Sequence, residues 1–156
     1  MSDEKILTLD SLRPILHERR RHGDQCVFTN GAFGFLHPGH VYCLQAAARE
    51  GNLLVVALNT DESFSRIKGR APVFTWSDRA FMLAALRVVS YVIPLEEDTP
   101  HALFRAIQSD VLAKGPTSGG VVGREIVEAY GGRVVVTDEF GGYSVTEILQ
   151  KLRLGL

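Results

Sequence analysis

Apolar positions along this chain switch between two periods, one helical and one of buried strands. Leu9, Leu12, Ile15 and Leu16 recur near helical spacing and predict a helix over 8–21. Thr8 or Asp10 can cap it, and Gly23 ends it. Pro14 is acceptable only in a first turn, so the helix is expected to begin near Ser11. The apolar run 26–29 reads as a strand that Asn30-Gly31 breaks. Pro38 suits the first turn of a helix running to about Glu50, with Gly51 as terminator. Residues 53–58 are continuously apolar, as a strand covered on both faces should be.

The pattern then repeats. Helices are predicted over 77–86 with Ser77 as cap, from Thr99-Pro100 to about Gln108, over 122–130, and from a Ser144 cap to about Leu152. Strands are predicted over 88–93, 111–113 and 133–137. Strands alternating with helices imply parallel strands joined by crossover helices. The expected fold is α/β, a Rossmann-like, doubly wound parallel sheet of about five strands with flanking helices, as a single domain over 1–156. Residues 61–74 and 115–120 read as loops. Loops beside strand C-termini are where such folds bind ligands.

Composition narrows the function classes. A hydrophobic fraction of 46% and a charged fraction of 22% match an ordinary globular protein. A net charge of -1 argues against a dedicated nucleic-acid binder. Cys26 and Cys43 form no C-x-x-C pair or zinc-spaced cluster, and read as buried thiols of a reducing compartment. No stretch has the apolar length of a signal peptide core or a membrane span, so the expected location is cytoplasmic, with no membrane partner.

The segment Asn30-Gly31-Ala32-Phe33-Gly34-Phe35-Leu36-His37-Pro38-Gly39-His40 carries the chemistry. A buried strand ends there, the chain turns through glycines, and a helix begins at Pro38. Free backbone N–H groups at such a turn favour an anion. His37 and His40 are spaced to face the same side of the helix start. Two imidazole donors beside a phosphate can hold the charge that develops on a pentavalent phosphorus. An isolated H-x-x-H also arises by chance or binds metal; the strand, the glycine turn and Pro38 are what set this one apart.

The same segment resembles the G-x-F-x-x-x-H-x-G-H signature of the nucleotidyltransferase superfamily, in its cytidylyltransferase-like branch. The chain is most similar to the heptose 1-phosphate adenylyltransferase family, which makes the nucleotide-activated heptose of bacterial lipopolysaccharide. Matching segments follow in order: Val56 to Asp61, Lys68-Gly69-Arg70-Ala71-Pro72, Asp78-Arg79-Ala80, Leu83 to Leu86, Val92 to Pro100, Asp110 to Gly115, Gly131 to Val136 and Gly142 to Ile148. They cover nearly the whole chain.

The resemblance implies transfer of a nucleoside monophosphate from a nucleoside triphosphate to a phosphorylated small molecule, with pyrophosphate released. AMP from ATP and D-glycero-D-manno-heptose 1-phosphate are the expected pair. It implies that Asn30, Gly31, Ala32, Phe33, Gly39, His37 and His40 hold the triphosphate. Lys68 would be a mobile cation on the phosphates or acceptor, against the plainer reading of a solvated surface charge. Arg79 would reach nucleotide phosphate or acceptor, against a surface ion pair with Asp78 or Glu62. Lys114, just past a buried strand, would supply a cation in the crevice. Ser144 and Thr146 open the last helix and could bind the β- or γ-phosphate, or Ser144 could only cap. Asn59 and Asp61 could orient the acceptor or close a turn. Trp76, Phe74 and Tyr143 could line a nucleoside pocket or belong to the core. A Mg²⁺ ion would bridge the phosphates with no dedicated protein ligands. A homodimer is implied by the family alone, and a sugar kinase partner would sit on a separate chain.

The pattern departs from the family at two places. Gly34 stands where the family usually has an aspartate, and Pro116-Thr117-Ser118-Gly119-Gly120 replaces a glycine and an Asp-Tyr pair. Both fall at the expected site. They leave room for a cytidylyltransferase acting on glycerol phosphate, another polyol phosphate or a phosphonate, or for a nucleotide-binding module without turnover. A plain dinucleotide-binding domain is disfavoured, because no G-x-G-x-x-G follows the first strand.

Overall fold

A computed structural model describes residues 2–117 and 119–155. The chain opens with a short 3-10 turn, Ser2–Lys5, followed by helix α1, Leu9–Arg21. Strand β1 is Cys26–Gly31, α2 is Pro38–Ala48, β2 is Leu53–Asn59, α3 is Asp61–Lys68 and α4 is Trp76–Ala85. Strand β3, Tyr91–Leu95, leads to α5, His101–Ile107, and β4, Val111–Lys114. The chain closes with α6, Arg124–Ala129, β5, Arg133–Val136, and α7, Val145–Arg153.

The five strands form one sheet in the order β3-β2-β1-β4-β5. Every pairing is parallel. The order reverses between β1 and β4, so the connections leaving those strands diverge and open a crevice at their C-terminal ends.

All seven residues of β2 are buried, as a central strand covered on both faces requires. Its side chains divide by strand alternation. Leu53, Val55 and Ala57 join Leu12 and Leu16 of α1, Phe28 of β1 and Phe104 of α5 on one face. Leu54, Val56 and Leu58 join Leu44 of α2 and Ala80 and Leu83 of α4 on the other.

Several boundaries differ from the sequence reading, each for a physical reason. Helix α1 begins at Leu9, capped by the Thr8 hydroxyl, with Pro14 inside it. Pro14 is exposed, so the carbonyl its ring frees can meet water. Residues 61–74, expected as a loop, contain α3. The Thr60 hydroxyl accepts from the Ser63 N–H at its start, and Gly69 closes it at φ 67°. Helix α4 is capped by Thr75 rather than Ser77. The Thr75 hydroxyl accepts from the Asp78 N–H while the Asp78 carboxylate accepts from the Thr75 N–H. Strand β3 starts at Tyr91 rather than Val88. Helix α6 starts after Gly123 rather than at Val122, and Val122 is exposed. Ser144 caps α7 as expected, accepting from the Glu147 N–H at 3.1 Å. Of the expected loop 115–120, Ser118 lies outside the described residues.

Candidate active site

Strand β1 ends at the reversal point, and the chain turns there from Gly31 to His37. Phe33 takes up φ 42°, a left-handed conformation uncommon for a residue with a side chain. Helix α2 begins with His37 as its cap, with Pro38 in the first turn. The His37 Nδ1 accepts from the backbone N–H of His40 at 3.4 Å. That bond fixes the His37 tautomer: an accepting Nδ1 puts the proton of the neutral ring on Nε2.

The two imidazoles stack with ring centroids 3.6 Å apart and planes 24° from parallel. Gly39, between them in sequence, is buried, and a Cβ there would lie 3.0 Å from the His37 ring, so a side chain would press on the stack. Phe33 packs against the His40 ring at 5.1 Å. Burial lowers the pKa of His37. Burial, and then the neighbouring His37, push His40 down to about 4, partly opposed by a hydrogen bond to the Phe35 backbone, which accepts from the ring. Both rings are thus held neutral at neutral pH, each with one N–H to give. The His40 Nδ1 is buried with no hydrogen-bond partner.

Three adjoining cavities, of about 490, 190 and 730 Å³, each have His40 in their wall. The smallest lies between β1 and β4 and is lined by Asn30, Gly31, Ala32, Phe33 and Lys114. Lys114 donates to the Asn30 carbonyl at 3.2 Å and to its side-chain oxygen at 2.9 Å. Burial lowers the Lys114 pKa to about 8. The largest has His37, Gly39, Lys68, Ser144 and Thr146 in its wall, and Lys68 and Thr146 also line the middle one. The structure thus gathers eleven of the expected residues around one point.

Arg79, Asp61 and Asn59 are placed otherwise. The Arg79 side chain is fully buried. Its three nitrogens donate to the Phe74 carbonyl at 3.2 Å, the Ala32 carbonyl at 2.6 Å and the Asp61 carboxylate at 2.7 Å. Each of the three nitrogens already has a protein acceptor and the side chain has no exposed surface, so in this structure Arg79 holds the Gly31–His37 turn through the Ala32 carbonyl. Asp61 is its ion-pair partner. Asn59 donates to the Ser63 hydroxyl at 2.9 Å, which donates on to the Glu97 carbonyl at 3.1 Å. Asn59 thereby closes the turn after β2, and none of the three residues lines the cavities around His40. Trp76 donates to the Leu58 carbonyl at 3.1 Å and packs against the core, while Phe74 stacks near Phe35. Tyr143 is half-exposed in the largest cavity.

Other wall residues escaped the sequence reading. Phe64, Arg70, Leu149, Gln150 and Arg153 line the middle cavity, and Glu139 and Phe140 the largest. Thr60, the acids Asp61 and Glu62, and the Lys68-Gly69 ending were a legible helix signature that would have brought Phe64 onto the same face as Lys68. Cys43, expected to be buried, is only partly so and borders two of the cavities, whereas Cys26 is buried with its thiol pushed up to about 12. Among the described residues, no group of three or more His, Cys, Asp or Glu side chains is placed to hold a metal ion. A magnesium ion here would take its ligands mainly from phosphate oxygens and water.

A glycine turn and paired histidines at the reversal point of a parallel sheet define the class: Rossmann-like nucleotidyltransferase domains bearing the H-x-G-H signature. The chain belongs to the cytidylyltransferase-like family, whose model matches residues 28–151. It is 46% identical over 153 residues to the bifunctional protein HldE of Syntrophotalea carbinolica, covering 96% of this chain and 31% of that protein. It is 45% identical over 151 residues to the bifunctional protein HldE of Gluconobacter oxydans, covering 95% of this chain and 32% of that one. The chain thus spans about a third of the length of these relatives. Among solved structures, it resembles a lipopolysaccharide core biosynthesis protein of Thermoplasma volcanium with a TM-score of 0.64 at 24% identity, covering 78% of this chain and all of that one. It also resembles the pantoate-beta-alanine ligase of Francisella tularensis with a TM-score of 0.58 at 11% identity, covering 96% of this chain and 77% of that one. Likeness at these identities speaks to the fold alone. Among the described residues, no helix is long and apolar enough to cross a membrane.

Proposed function

We infer that this domain transfers AMP from ATP to the phosphate of a sugar phosphate, with D-glycero-D-manno-heptose 1-phosphate as the leading acceptor, and releases pyrophosphate. The observation that carries the reading is the stacked His37–His40 pair at the start of α2, with three cavities meeting at His40. The relatives named HldE and the resemblance to heptose 1-phosphate adenylyltransferases support the choice of acceptor and a place in lipopolysaccharide precursor synthesis.

In this reaction an acceptor phosphate oxygen attacks the α-phosphorus in line. The bond from that phosphorus to the bridging oxygen breaks, and its electron pair leaves on pyrophosphate. No covalent enzyme intermediate is needed, so positioning and charge stabilisation carry the catalysis. The His37 Nε2–H and the N–H of neutral His40 donate to the oxygens of the pentavalent phosphorus. Backbone N–H groups of the turn and of α2 add the field of a helix N-terminus. Lys114 and Lys68 supply cations from the walls of different cavities, and Ser144 and Thr146 border the leaving pyrophosphate. Magnesium, arriving with the triphosphate, would neutralise phosphate charge. Arg79 contributes by fixing the Ala32 carbonyl and the Phe64 ring behind the turn. The working state is cytoplasmic and homodimeric in this reading.

The test is pyrophosphate release with Mg²⁺, using ATP and CTP in parallel against a panel of sugar and polyol phosphates. Release that requires ATP and one sugar phosphate, and is lost in His40→Ala, is the expected result. Release with CTP and a polyol phosphate would move the assignment to a cytidylyltransferase. No release with any pair while ATP still binds would reduce the domain to a binding module.

A further inference from the structure

The middle cavity differs in charge from its neighbours. Its wall contains Lys68, Arg70 and Arg153 and no carboxylate. Among the described residues none of these three cations is in a salt bridge. Lys68 also borders the largest cavity, with His37 and Ser144, where the triphosphate is expected. Arg70 and Arg153 do not: they line only the middle one.

The missing carboxylate has a structural cause. Gly34 lies in the same wall, where the family usually carries an aspartate. A Cβ on Gly34 would fall 2.6 Å from Cε2 and 2.8 Å from Cζ of Phe64. Phe64 is 2% exposed and lies against Arg79 at 5.3 Å and Arg70 at 5.7 Å from its ring centre, so a side chain at position 34 would force the buried ring to shift. The ring also lies beside the Arg70 guanidinium at the cavity.

We propose that the middle cavity is an acceptor subsite for a second anionic group, a carboxylate or phosphate on the acceptor in addition to the phosphate that attacks, with Arg70 and Arg153 as its specificity-determining residues. This rests on the transferase reading for the word acceptor and favours an acceptor other than heptose 1-phosphate, which carries only the attacking phosphate; the pocket chemistry depends on neither. Guanidinium groups suit such an anion, since their paired N–H donors match carboxylate and phosphate oxygens.

The test measures binding to the full chain saturated with a non-hydrolysable ATP analogue, by calorimetry. The probes are glucose 1-phosphate, glucuronic acid 1-phosphate and glucose 1,6-bisphosphate, which share a ring and differ in one anionic group. The expected result is that the two bis-anionic probes bind at least about tenfold tighter, the worth of one charge-assisted contact. Arg70→Gln and Arg153→Gln each reduce that preference to less than about threefold while binding of the ATP analogue stays unchanged. Both arginines are exposed, so these variants fold as the parent does, Arg70→Gln losing only its contact on the Phe64 ring. Equal binding of all three probes overturns the proposal, as does a preference that survives both substitutions. Arginine variants that weaken the ATP analogue as much as the probes also overturn it, because the cations would then serve the triphosphate. Pyrophosphate release with the same probes and hydrolysable ATP separates the two readings. A bis-anion preference without release defeats the transferase and leaves the pocket; release without preference does the reverse.

Discussion

Replacing Arg79 with methionine keeps most of the side chain's length and removes all its donors. The Ala32 and Phe74 carbonyls then lose their partners in half-buried surroundings. Each such loss costs about 1–3 kcal/mol. Asp61, with its side chain 41% exposed, regains water and adds little. The Phe64 ring loses its cation, worth about 0.5–1 kcal/mol. The sum is about 2.5–7 kcal/mol, a large part of the 5–15 kcal/mol that holds an ordinary domain together. Urea unfolding followed by circular dichroism measures it directly, as a lower midpoint at unchanged slope. The KM for ATP, taken well below the unfolding transition, should rise only modestly, because Arg79 acts through the turn. An unchanged urea midpoint together with a tenfold or greater rise in KM would refute the reasoning. The guanidinium would then reach a phosphate, as its position in the sequence alone suggests.

Other perturbations test other parts of the site. Gly34→Ala forces a Cβ against the clamped Phe64 ring and should cost about 1–3 kcal/mol in thermal or urea unfolding. Most of that cost should vanish in the Phe64→Ala background, and simple additivity of the two changes would contradict the contact. His40 should titrate near 4 by NMR in the free protein and move upward when ATP binds, since phosphate charge favours the imidazolium. Because its folded pKa lies below its unfolded value of about 6.5, the unfolded state binds the extra proton. Its contribution to stability is therefore complete above about pH 6.5 and fades as pH falls towards 4, a slope that His40→Ala should flatten. Lys114→Met removes a buried cation that has no carboxylate partner, so unfolding should shift by less than about 1 kcal/mol while ATP affinity falls at least about tenfold. A large loss of stability at unchanged ATP affinity would make Lys114 a structural residue.

The sequence by itself determined the scaffold and the reacting end of the site. The apolar runs of β1 and β2 and the alternation of strands with helices specify a parallel sheet, because only a strand covered on both faces is apolar throughout. Asn30 to His40 located the turn and the paired histidines at the sheet's reversal point, since glycines and Pro38 act over a few neighbouring residues. The same locality explains Ser144, a cap readable from its own neighbourhood. The tertiary structure decided what depends on distant partners. Arg79 reads as a ligand-facing cation in sequence, yet three acceptors from separate segments bury it. Asn59 is turned inward by Ser63, and the thiol of Cys43 borders the site because α2 lies across the ends of β1 and β4. Gly34 stood out in sequence only as a departure from a pattern. Its cause lies thirty positions along the chain, where Phe64 on α3 fills the space a side chain would need. Steric exclusion and charge pairing act between whichever groups folding brings together, and no local pattern encodes which groups those are.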